Sequence, residues 1–206
     1  MTELRQEQII KWLERDVSWS QVSSFEYSPE QWFKKYILDE EQFKSPEMEF
    51  GSLVGKKLET DPTFLPQIER HSKMEHEFKC KFGELKLIGY ADSFCTITSK
   101  KLAEYKTGVK PWDKKRVDDH GQLTQYCLMH YLMTKTRPED LEITLWWMPT
   151  KRSETGDFNV KIEFVEPIEQ NIKIFKTKRS MKDILNFGVR INKVYAQMRE
   201  YAENHE

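Results

Sequence analysis

Leu85-Lys86-Leu87-Ile88-Gly89-Tyr90-Ala91-Asp92-Ser93-Phe94, followed after the turn-like Thr98-Ser99-Lys100 by Lys101-Leu102-Ala103-Glu104-Tyr105-Lys106, decides the reading of this chain. The stretch Leu85–Thr98 is rich in Leu, Ile, Tyr, Phe and Thr, and Lys101–Lys106 resumes with alternation, so two adjacent strands are expected. Side chains alternate faces along a strand, which puts Glu104 and Lys106 on one face and Tyr105 on the other. Asp92 on the neighbouring strand then supplies a second carboxylate. Two oxygen donors and a lysine suit Mg²⁺-assisted attack on a phosphodiester. In a chain that is 33% charged, a solvated Glu/Lys pair on a strand edge is the ordinary meaning of such a triplet. The order of the surrounding motifs therefore has to decide between the two.

Upstream, Glu75–Phe82 alternates as a strand, and Gly83-Glu84 closes a hairpin into the Asp92 strand. Leu4–Asp16 carries Ile9, Ile10 and Leu13 at helical spacing. Ser28-Pro29 has the form of an N-cap and first helical residue ahead of Trp32, Phe33 and Tyr36. A third helix is expected over Phe50–Thr60. Downstream, Thr107–Trp112 reads as a loop, Asp118–Thr134 as a helix, and Leu141–Met148 as a buried strand. Thr150–Asp157 turns back into a strand at Phe158–Val165, and Ser180–Glu203 is a long amphipathic helix. In the segment Asp118-Asp119-His120, helix capping and the helix dipole account for the acids. The fold class expected is α/β, with a mixed central sheet flanked by helices in one domain over residues 1–206.

At 206 residues with 38% hydrophobic content, the chain can bury a real core. Apolar runs are too short for a membrane span, and Glu3, Arg5 and Glu7 stand where a signal peptide would be apolar, so a soluble, cytoplasmic protein is expected. Cys80, Cys95 and Cys127 are widely spaced and include no CxxC, which signals neither a zinc site nor a disulfide framework. Three thiolates cannot complete an iron–sulfur cluster within the chain. The net charge of −1 excludes a global attraction to nucleic acid, so any DNA contact must come from local basic patches.

In this order, five segments resemble the RecB-like and Cas4-like branch of the PD-(D/E)XK nuclease superfamily over Ser18 to about Tyr131. Ser18–Val22 through Ser28–Tyr36 resembles its opening helix pair, and Phe50–Glu59 its next helix. Gly89-Tyr90-Ala91-Asp92 matches its G-x-x-D, Glu104-Tyr105-Lys106-Thr107-Gly108 its E-x-K-T-G, and Gln122-Leu123-Thr124-Gln125-Tyr126 its Q-x-x-x-Y. The resemblance implies a restriction-endonuclease-like core and a metal-dependent deoxyribonuclease, an exonuclease working from DNA ends in a bacterial or phage-infected cell. Asp92, Glu104 and the Tyr105 carbonyl would hold Mg²⁺ or Mn²⁺, and Lys106 would orient the attacking water or stabilise developing charge. Gln122 and Tyr126, four apart on one helix face, would hold the lysine, the water or the DNA end. A core position for the Tyr126 ring is equally open.

Two departures from the family pattern stand out. Gly55 occupies the place of the usual histidine ligand, with Glu49 and Glu59 near enough to compensate. Alternatively, Gly55 is small because something packs closely there. Ser28 replaces the cysteine of cluster-bearing relatives, which agrees with the cysteine count in excluding an iron–sulfur cluster. For DNA with a free end or a single strand, contacts are expected at Lys110, Trp112, Lys114, Lys115 and Arg116, cations beside a ring able to stack on a base. Lys173–Arg179 reads as a solvated basic face. The rival function is a catalytically inactive DNA- or partner-binding protein in which Asp92 and Glu104 are ordinary salt-bridge partners of Lys106.

Overall fold

The hairpin forms where Gly83-Glu84 was expected to close it. In a computed structural model describing residues 3–41, 43–155 and 159–205, strands β1 (Lys73–Phe82) and β2 (Leu85–Phe94) pair antiparallel from Phe82↔Leu85 to Lys73↔Phe94. Gly83 turns the chain at φ +62°, a region that glycine enters without a Cβ penalty. β2 ends at Phe94, and Cys95–Thr98 turns instead of extending the strand. β3 (Lys101–Gly108) then pairs with β2 only at Ser93↔Ala103 and Phe94↔Leu102 before the two strands part.

On its other side β3 runs parallel to β4 (Glu142–Thr155), from Lys101↔Glu142 to Gly108↔Pro149. Parallel neighbours need a crossover, and α6 (Gly121–Thr134) provides it. The far half of β4 pairs with β5 (Asn159–Phe164), so Thr150–Thr155 is strand and the expected turn there is corrected. Asp157 and Phe158 lie outside the described residues. The near half of β4 carries β6 (Lys173–Thr177), which places most of the basic run Lys173–Arg179 in the sheet.

Alternation along β3 and β4 sorts side chains into two cores. Leu102, Ile143, Leu145 and Trp147 face α1 (Glu3–Leu13), α2 (Trp19–Tyr27), α3 (Pro29–Tyr36), α6 and α8 (Met181–Asn204). Ala103, Tyr105, Trp146 and Met148 face α4 (Pro46–Thr60) and α7 (Ile168–Asn171). The caps follow sequence logic: Ser28 accepts from Gln31 N ahead of Pro29, and Ser180 forms a reciprocal capping box with Asp183. Ser45-Pro46 repeats the Ser-Pro device, which starts α4 before Phe50.

The segment Asp118-Asp119-His120 behaves differently from the expectation. A short helix, α5 (Lys114–Asp118), ends there, and α6 begins at Gly121 with His120 as an N-cap that makes no side-chain bond. Asp118 caps nothing; its carboxylate takes Lys114 and the Thr177 hydroxyl. The solvated face expected at Arg179 is likewise corrected. Its guanidinium is buried, donating to Thr124 Oγ1 at 2.8 Å and to the Val117 carbonyl at 2.9 Å, and it ties α5 and α6 to the end of β6. Among the described residues no helix is long and apolar enough to cross a membrane.

Gly121 sets how closely α2 approaches α6. A Cβ there would lie 2.0 Å from the Trp19 ring, an impossible contact for a rigid indole. Gly121→Ala should therefore destabilise the fold by about 2–3 kcal/mol or more, despite the better helix propensity of alanine. Urea unfolding of the variant beside wild type measures it; an unchanged midpoint would mean that the Trp19–Gly121 contact does not constrain α6.

Candidate active site

Where β2 and β3 part, the Asp92 side chain takes over the ladder's work: its Oδ2 accepts the Tyr105 backbone N–H at 2.6 Å. Tyr105 is anchored on the opposite face, its phenol donating to the Glu69 carbonyl at 2.6 Å. Arg70, next in sequence, bonds the carbonyls of Leu58, Leu65 and Ile68 and holds the α4–β1 connection in place. Glu104 and Lys106 share a face as alternation requires, with Lys106 Nζ donating to Glu104 Oε1 at 2.6 Å. The ammonium also donates to Gln122 Oε1 at 3.0 Å. Gln122 Nε2 in turn donates to the Tyr126 hydroxyl at 2.8 Å, and that hydroxyl donates to the Tyr90 carbonyl.

The structure thus joins Glu104, Lys106, Gln122 and Tyr126 in one chain of hydrogen bonds, with Asp92 beside it. The Tyr126 ring is buried in the core, and its hydroxyl meets Gln122. The ring lies over Gly89, where a Cβ would sit 2.9 Å from it. This gives the glycine of G-x-x-D a physical reason, since a larger residue would push the tyrosine away from the Tyr90 carbonyl.

The electrostatics are unbalanced. Glu104 is 1% exposed, and its Oε2 has no hydrogen-bond partner. Burial, together with the Glu104 carboxylate, holds the Asp92 carboxyl well above the usual carboxylate range against the pull of Lys106 and the Tyr105 amide. Burial would lower the Lys106 ammonium, yet Glu104 and Asp92 outweigh it and raise the group, so the lysine stays charged. Burial and the same two carboxylates push the Tyr126 phenol up, so it keeps its proton near neutrality and remains a hydrogen-bond donor.

Asp92, Tyr105 and Lys106 open onto a cleft of about 720 Å³ whose other wall is α4, with Gly51, Gly55 and Glu59. A Cβ at Gly55 would meet nothing within 4 Å, so close packing is not what keeps it small. The side chain is missing from open space at the mouth of the site. Of the two acids considered as compensators, Glu59 lines this cleft and pairs with Lys56 at 2.9 Å, whereas Glu49 faces a different groove beside Lys35 and Asp39. Glu75 on β1, which sequence reasoning passed over, also lines the cleft. Counting back from the two-residue turn would have placed it across from Asp92.

The basic loop after β3 is arranged differently from the expectation. Lys110 and Lys115 are exposed and Lys114 is paired with Asp118. Trp112 is 7% exposed, with the Arg116 guanidinium 3.9 Å from its centroid and His120 edge-on at 5.0 Å. Its ring is already occupied, which corrects its expected role in stacking on a base. Arg116 is correspondingly held against the protein.

No protein-family model matches this chain, and no curated protein sequence matches it. Solved structures do. The "Putative exonuclease" of Eubacterium rectale is similar over 98% of this chain and 87% of its own, with a TM-score of 0.54 and 10% identity. The alkaline exonuclease LHK-Exo of Laribacter hongkongensis is similar over 96% and 94%, with a TM-score of 0.53 and 9% identity. The protein SSO0001 is similar over 94% and 84%, with a TM-score of 0.50 and 12% identity. This likeness establishes the fold. It is the α/β, restriction-endonuclease-like core, a mixed sheet with helices on both faces.

His120 adds a pH dependence next to the site. Burial, with Lys106, Arg116 and Arg179 nearby, depresses its imidazole to about 3. Above its unfolded value near 6.5 the group is neutral in both states and has no effect; below it, only the unfolded chain takes up the proton. Stability should therefore fall between pH 6.5 and 3, by about 2 kcal/mol at pH 5 on account of this group alone. Denaturant midpoints at pH 7.5 and pH 5 for wild type and His120→Gln measure it, with the variant expected to lose less. Equal losses in both proteins would refute the assignment.

Proposed function

We propose that this chain is a metal-dependent deoxyribonuclease of the RecB-like and Cas4-like branch that hydrolyses DNA phosphodiester bonds from an end. The observation that carries the reading is the buried Glu104 carboxylate, with one oxygen on Lys106 and the other on nothing, beside an Asp92 whose ionisation is suppressed by its neighbours. A structural salt bridge satisfies its own carboxylate. A surplus of buried negative charge at oxygen donors instead fits Mg²⁺ or Mn²⁺. Exonucleases among the proteins of similar fold support the reaction class and DNA as the substrate.

The donors are hard oxygens, and Asp92, Glu104 and the Tyr105 carbonyl would hold the cation. Among the described residues no three His, Cys, Asp or Glu side chains form a ready-made metal cluster, which suits an ion that keeps much of its water. When bound, the ion supplies charge stabilisation at the scissile phosphate and a more acidic water. The chain's own residues do the rest. Lys106, kept protonated, sets a fixed positive charge at the cleft, and Gln122 holds it on the face of Glu104 while Tyr126 fixes the orientation of the glutamine amide. Preorganised charge of this kind contributes about 10²–10³ in rate. Exposed Lys110 and Lys115 meet the DNA backbone outside the cleft.

A digest of end-labelled linear DNA beside closed circular DNA, with Mg²⁺, Mn²⁺ and EDTA lanes, tests metal and end dependence together. Linear DNA should be degraded in Mg²⁺ or Mn²⁺ and preserved in EDTA. Asp92→Asn and Glu104→Gln should be folded and inactive. Lys106→Ala should lose about 10²-fold or more in rate with much less change in DNA affinity, whereas Lys115→Ala should weaken binding and lower its salt slope by about one. Full activity of either carboxylate variant would overturn the assignment.

Gly55 offers a gain-of-function test of the same reading. Open space at its Cβ and the low helix propensity of glycine predict that Gly55→His folds with a slightly higher melting temperature, by up to about 1 kcal/mol in stability. An imidazole added to the cleft wall should tighten Mn²⁺ binding in calorimetry. Unchanged affinity in a stable variant would remove Gly55 from the metal's surroundings.

A further inference from the structure

β1 contains an irregularity at one residue. Glu75 adopts φ +47°, a left-handed conformation uncommon for residues other than glycine and unfavourable for a side chain as long as glutamate. The irregularity lies between the pairs Met74↔Ser93 and His76↔Ala91, and so directly across from Asp92. It also reverses the alternation of the strand. Met74 packs against the α4-side core, while His76 stacks on Phe94 and leans on Phe78 in the opposite core. A regular strand would put Met74, His76 and Phe78 on one face. The distortion leaves the Glu75 carboxyl on the wall of the cleft shared by Asp92, Tyr105, Lys106 and the empty position at Gly55.

That carboxyl has no hydrogen-bond or ion-pair partner among the described residues. The residue is exposed to solvent, yet partial burial, with the Glu59 and Glu104 carboxylates nearby, pushes the group up against the pull of Lys56. The unpartnered Oε2 of buried Glu104 belongs to the same charge cluster.

Resting on the metal-dependent reading above, we infer that Glu75 is a further acidic residue of the active site, the third carboxylate around the cation, supplied from β1 where α4 presents only Gly55. Among the described residues Glu75, Asp92 and Glu104 do not stand together as a preassembled cluster, so Glu75 would reach the ion through a water of its shell or by rotation of its exposed side chain. The left-handed backbone is the means by which a strand residue is turned into the cleft without breaking the hairpin on either side.

Calorimetric titration of Mn²⁺ alone into the full chain tests this without DNA or turnover, using Glu75→Gln, Glu75→Gly and Asp92→Asn beside wild type. Glu75→Gln should weaken Mn²⁺ binding by about tenfold. Glu75→Gly should weaken it similarly while keeping or raising the melting temperature, because glycine accepts φ +47° without strain. Loss of affinity in a more stable protein separates a ligand-side role from damage to the fold. Wild-type Mn²⁺ affinity in both Glu75 variants, with binding lost in Asp92→Asn, overturns the role of Glu75 alone. Wild-type affinity in Asp92→Asn overturns the metal reading of the site, and this inference with it.

Discussion

The hydrogen bond from the Tyr105 backbone N–H to the Asp92 carboxylate is the constraint on which the site depends. β2 and β3 leave each other after two paired residues, and each exposed backbone group beyond that point needs a partner. A side-chain carboxylate satisfies one of them, which holds the gap open at fixed width. The same bond fixes the height of Glu104 and Lys106, the residues on either side of Tyr105. Phenol and backbone of Tyr105 are thus anchored from opposite directions, one to the Glu69 carbonyl and one to Asp92. This is a rigid place to present a buried acid.

Charge then determines what the gap can hold. One ammonium faces Asp92 and Glu104 at close range, with Glu75 and Glu59 along the cleft wall. Lys56 is engaged by Glu59 and Lys106 cannot neutralise the rest, and the response is the suppressed ionisation of Asp92 and Glu75. Burying like charges is costly unless something else compensates. On the proposed reading, a divalent cation would relieve that repulsion more effectively than a second lysine, since it brings two charges and accepts several oxygen donors at once.

Gln122 and Tyr126 were singled out by the family motif they resemble, whereas the hairpin, its two-residue turn and the shared face of Glu104 and Lys106 beside Asp92 were legible in the sequence because alternation is a local rule. The Ser28-Pro29 cap was legible for the same reason. What was lost depended on contacts distant in sequence. The Asp118–His120 segment resembled a capped helix start, but Asp118 is engaged by Thr177 and the first turn of α6 is shaped by Trp19 packing on Gly121. Arg179 is indistinguishable from its basic neighbours in sequence, and only the carbonyls and hydroxyl that converge on it make its burial tolerable. Glu75 was legible only through the hairpin register, which places it across from Asp92, and not through any motif of its own.

The loss of Trp112 as a stacking platform gives that residue a different place in the site. Arg116 covers Trp112, Trp112 meets His120 edge-on, and His120 in turn lies 6.4 Å from Trp19, whose ring sits on Gly121. This aromatic column fixes the first turn of α6. Gln122 lies in that turn, and its amide holds Lys106. The segment that presents Lys110 and Lys115 to solvent is therefore connected to the ammonium in the cleft through a continuous run of packed side chains. Trp112 thus serves packing in place of the exposed ring that sequence alone suggested.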